Sequence, residues 1–111
     1  MNKKSMEILR NRFFDEVTEE VDVELHDILA SIFEDLTEIN SLCDDVAEVI
    51  QAGDPDEDME SYIDNMIQSL EEIREEVISE LEATVFFDSL AKAKAILILQ
   101  IIIDLITSKV R

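Results

Sequence analysis

Between Leu25 and Ile50, apolar residues recur at alternating steps of four and three: Leu25, Leu29, Ile32, Leu36, Ile39, Cys43, Val46 and Ile50. That spacing predicts a helix packed along its whole length, because a 3.5-residue step keeps one stripe facing a neighbour. Ile28, Leu42 and Val49 widen the stripe on one edge and Phe33 on the other, so at least two neighbouring helices are expected. The opposite face carries Asp27, Glu34, Asp35, Glu38, Asp44, Asp45 and Glu48, with no Lys or Arg among them.

Upstream, Met6, Leu9, Phe13, Val17 and Val21 form a stripe that runs into this seam without Gly, Pro or a clear cap. The expectation is a continuous or gently kinked helix over about 5–51. The alternative is a break near 18–23, where β-branched Val17, Thr18, Val21 and Val23 alternate with acids and weaken helix propensity. The turn that follows has Gly53 as a left-handed C-terminal residue, Asp54 as the next N-cap, Pro55 at the first helical position and Glu57 completing a capping box.

A second helix over about 55–85 carries Met59, Ile63, Met66, Leu70, Ile73 and Val77 at the same spacing, then slips in phase to Leu81 and Val85. Thr84 to Phe87 are poor helix formers in a row. Asp88 or Ser89 can cap a last helix over about 89–109. Only Gln100 and Asp104 interrupt its apolar residues from Ile96 to Ile106. Two other helices cover only part of such a cylinder, so a second copy is expected to complete its walls. Ile96, Leu97, Leu99, Ile101, Ile102 and Leu105 would form that oligomer core, with a dimer as the simplest closed solution. The uncharged stretches here are too short for a bilayer core of about 30 Å. The fold class is therefore all-α: one domain, a long antiparallel helical hairpin plus a C-terminal apolar helix, in a three- or four-helix bundle completed by dimerisation.

Charge changes the picture most. The net charge is −19, and residues 13–88 hold 26 of the 28 acids with Arg74 as their only cation. If the hairpin were a rod of about 58 Å, its carboxylates would fall about every 2.2 Å along the axis. Duplex DNA carries one charge per about 1.7 Å. Such a body repels nucleic acid and anionic membrane and attracts basic surfaces.

Candidate chemistry is sparse. Cys43 is the lone cysteine and lies on the seam, which reads as a small buried side chain. His26 is the lone histidine, with Val23 rather than Glu three residues before it, so carboxylate-bridged metal bundles do not fit. The run Asp54, Asp56, Asp58 opens like a calcium loop, but Met59 and Asn65 stand where Gly and Glu are needed. The pairs Glu16 with Glu19 and Glu24 with Asp27 are similar to the carboxylate pairs of all-α nucleotide pyrophosphohydrolases. Those enzymes place the pairs on separate arms of a hairpin around Mg²⁺, whereas a continuous first helix would hold both here.

The sequence thus points away from an enzyme and from any metal or cofactor. It points to an acidic binding protein that occupies the basic, nucleic-acid-binding surface of a partner protein, contacting neither nucleic acid nor membrane itself, with a cytoplasmic address. Small acidic inhibitors from phages and mobile elements, including some that block restriction or CRISPR nucleases, resemble it in size and charge. The residues expected to carry binding are Asp27, Glu34, Glu38, Asp44, Asp45 and Glu48 on the first long helix and Asp64, Glu71, Glu72, Glu75 and Glu76 on the second. The competing expectation is a structural or adaptor coiled-coil subunit, or an assembly chaperone, acting through apolar helix faces.

Overall fold

A computed structural model describes residues 1–53 and 56–111, which form four α-helices and no strand. They are α1 (Lys3–Val17), α2 (Val23–Ala52), α3 (Glu57–Ala83) and α4 (Ser89–Thr107). The all-α class expected from the periodicity holds.

The continuous first helix does not. The chain leaves α1 at Thr18 and turns through hydrogen bonds from the Glu20 and Val21 amides to the Val17 carbonyl. Asp22, in extended backbone, then caps α2 by accepting the Leu25 amide at 2.7 Å. The β-branched, acidic stretch is a weak helix former, and reversal there gains a tertiary contact that a straight rod forgoes. Folding α1 back onto α2 packs Phe13 against Phe33 with ring centroids 4.7 Å apart, and Phe14 against Phe33 at 5.3 Å and against His26 at 5.0 Å, all at tilted angles.

The result is an up-down-up-down bundle in which α1 and α3 occupy opposite corners and α4 touches all three other helices. It measures 50 × 24 × 21 Å. Phe13, Phe33, Leu29, Leu36, Leu70, Leu81, Leu99, Ile102 and Ile106 are sealed in one core. Each such side chain contributes about 1.5–3 kcal/mol over its exposed state.

Because α1 is a separate helix, α4 has three walls from its own chain rather than two. Leu99 and Ile102, expected in an oligomer core, are fully buried within the single chain, and Ile96 is half-buried. Leu97, Ile101 and Leu105 remain exposed, by 56%, 40% and 41%. Of the seam's shoulders, Phe33 is buried and Leu42 half-buried, while Ile28 and Val49 face outward.

The turn after α2 also differs from expectation. Gly53 is extended, with φ 170°, rather than left-handed, and Asp56 is the N-cap of α3, accepting the Met59 amide at 2.8 Å. The roles expected of Asp54 and Pro55 lie outside the described residues. At the far end Asp88 caps α4 by accepting the Leu90 amide at 2.9 Å, as the sequence suggested. The Glu20 carboxylate reaches across from the α1–α2 turn and accepts the Phe87 amide at 2.6 Å. The two inter-helix turns at that end of the bundle are thereby joined.

Candidate functional site

Both long helices bury one stripe, so their remaining faces must be polar, and the sequence fills those faces almost wholly with acids. Together α2 and α3 carry eighteen carboxylates against Arg74, whereas α1 and α4 carry six cations against four carboxylates. On α2, Asp27, Glu34, Glu38 and Asp45 recur at steps of seven, four and seven, all exposed and opposite the core stripe. Glu48 lies one turn beyond. On α3, Glu72, Glu75 and Glu76 are likewise exposed.

Three of the expected residues are partly neutralised. Asp44 accepts from Lys109, Asp64 from Arg111 and Glu71 from Arg74. The first two pairs form because the basic end of the chain folds back over the hairpin, where Lys109 also donates to the Met1 carbonyl. The Arg111–Asp64 pair is exposed on both sides and such pairs are worth about 0–1 kcal/mol, so it trims the field more than it secures the fold, whereas Lys109 is largely covered where it meets Asp44. Asp27, Glu34, Glu38, Asp45, Glu48, Glu72, Glu75 and Glu76 form no ion pair among the described residues.

Side-chain placement brings only part of the expected set together. A shallow groove of about 370 Å³ runs between α2 and α3, floored by Ile39, Leu42 and Ile73 and walled by Asp35 and Glu38 on one side and Glu72 and Glu76 on the other. Asp35 was not among the residues expected to bind. Its signal was present in the sequence: it stands one turn before Ile39 and two before Leu42, on the same edge of the widened seam.

The break after α1 shortens the acidic rod from the expected 58 Å to about 45 Å for α2, and its eighteen carboxylates fall about every 2.5 Å. The density is lower than that expected from the sequence, and it is confined to one flank of the molecule.

The remaining reactive groups lie elsewhere. Cys43 is fully buried, and burial, reinforced by Asp44 and opposed by Lys109, pushes its thiol pKa up, which keeps it protonated at neutral pH. The break separates Glu16 from Glu24 and Asp27, so those two pairs are not on one helix. Glu16 nonetheless faces the α1–α4 groove beside Arg12 and Lys94. Among the described residues no three His, Cys, Asp or Glu side chains gather as a metal site. No helix there is long and apolar enough to cross a membrane. Apolar side chains are also presented at the capped end of the bundle, where Phe87 is 97% exposed and Val85 88%. Comparison with protein-family models, curated proteins and solved structures finds no match to this chain.

Proposed function

We propose that this is a non-enzymatic binding protein whose α2–α3 face occupies the basic, nucleic-acid-binding surface of a partner protein. The observation that carries the reading is the α2–α3 groove, with four carboxylates on its walls and an apolar floor. Such a groove suits a cationic amphipathic segment, whose Lys or Arg heads reach the rims while their alkyl stems lie on Ile39, Leu42 and Ile73. Lone acids scattered for solubility do not need an apolar floor between them.

Charge reversal of the four wall residues, Asp35→Lys, Glu38→Lys, Glu72→Lys and Glu76→Lys, tests the proposal. The immobilised wild-type chain should capture a host protein that duplex DNA displaces, with retention falling steeply between 50 and about 200 mM salt. The reversed variant should lose that protein while its helical circular dichroism stays unchanged. Retention that ignores both DNA and the reversals removes the proposal.

The adaptor reading is favoured by a different observation, the exposed Phe87 and Val85 beside the α4 cap. It requires capture that is insensitive to salt and is lost in Phe87→Ser.

A further inference from the structure

The outward stripe of α4 is a second unfilled seam. Leu90, Lys94, Leu97, Ile101, Asp104 and Ser108 follow one another at steps of four, three, four, three and four, and every one is exposed. Three of the six, Leu90, Leu97 and Ile101, are apolar, and the three neighbours within the chain lie against the helix's other side, so this stripe has no partner in its own chain. Leu90 and Leu97 are more than half exposed, which a solvated face of a soluble helix does not require.

We propose that this seam receives α4 of a second copy, packed antiparallel about a two-fold axis, with Leu97 of each helix facing Ile101 of the other. Two features of the seam select that occupant and that direction. In the register where Leu97 faces Ile101, Lys94 falls opposite Asp104 and Leu90 opposite Ser108, so a reciprocal pair of opposite charges flanks the apolar centre. A parallel pairing sets Lys94 against Lys94 and Asp104 against Asp104, two like-charge contacts in one short seam. The second feature is the charge distribution. Every cation but Arg74 lies outside α2 and α3, so contact through α4 keeps the two anionic hairpins on the outside of the dimer, where their repulsion is least. Leu105, one residue past Asp104, then meets the mouth of the groove that Arg12, Lys94, Leu97 and Ile98 line between α1 and α4.

This inference does not depend on the acidic face, and its test involves no partner. Sedimentation equilibrium of the full chain should give a dimer. Lys94→Glu alone and Asp104→Lys alone should each weaken dimerisation about tenfold or more, and the double variant should return it to within about threefold of wild type. Spin labels on Ser108→Cys should lie about 27 Å apart or farther, the axial offset of eighteen residues. A monomeric wild type, single variants that dimerise as well as wild type, or labels within about 15 Å of each other would each overturn it. Both charged residues are exposed, so the substitutions leave the fold intact, and reversal of the α2–α3 acids should leave dimerisation in place.

Discussion

Glu20 shows how much a single half-buried side chain can set. It belongs to a turn, but its carboxylate receives the Phe87 amide and lies 3.4 Å from the Asp88 amide, so it fixes the backbone that enters α4. A carboxylate there also faces the positive end of the helix dipole. Glu20→Ala should lower unfolding free energy by about 1.5–3 kcal/mol, the range for hydrogen bonds to a charged group, as read by urea denaturation. Glu20→Gln, which keeps one acceptor, should lose less. Sequence inspection had no route to this residue, because a contact spanning 67 positions leaves no periodic trace. The Cys43 side chain was legible by contrast, since its place in the seam spoke for burial. Asn40 falls between the two. It is buried at 3% exposure with its Oδ1 unpartnered, and its Nδ2 reaches the Met1 carbonyl at 3.4 Å.

At the scale of elements, the apolar spacing identified the long stretches of α2, α3 and α4, and the breaks tested it hardest. The reversal at Thr18–Asp22 was visible only as weak propensity, and the deciding gain, the tilted packing of Phe13 and Phe14 against Phe33, is tertiary and absent from local sequence. Asp22 as a cap could have been read, because an Asp before an apolar run is a start signal. The turn at Gly53 failed for a different reason: a Gly after a helix suggests a left-handed residue, but here it is extended and a Cβ would meet nothing within 4 Å. Gly53→Ala should therefore be neutral or stabilising by up to about 1 kcal/mol, through a less flexible unfolded chain. Differential scanning calorimetry decides it, and a clear loss of stability would restore the left-handed conformation.

At the scale of the whole molecule, the acids that the sequence marked are nearly all exposed, but the sequence could not tell which of them share a groove or which the C-terminal turn neutralises. Those facts depend on how α2 sits against α3 and where residues 108–111 come to rest. A chain of charge −19 with three ion pairs among its described residues repels itself more than it attracts. Its Tm should therefore rise as sodium chloride is increased from about 10 mM to about 0.5 M, because shortening the Debye length from about 30 Å to about 4 Å screens the repulsion. A Tm that falls over that range would mean that ion pairing dominates.

The anions gathered on the α2–α3 flank make the bundle a permanent electric dipole set across its short axis. In the field of a cationic surface it experiences a torque as well as a pull, and it turns that flank forward while still several ångströms away. Arrival in one orientation turns the α4 flank away from that surface, so engagement on the acidic side and contact through α4 do not compete for the same face.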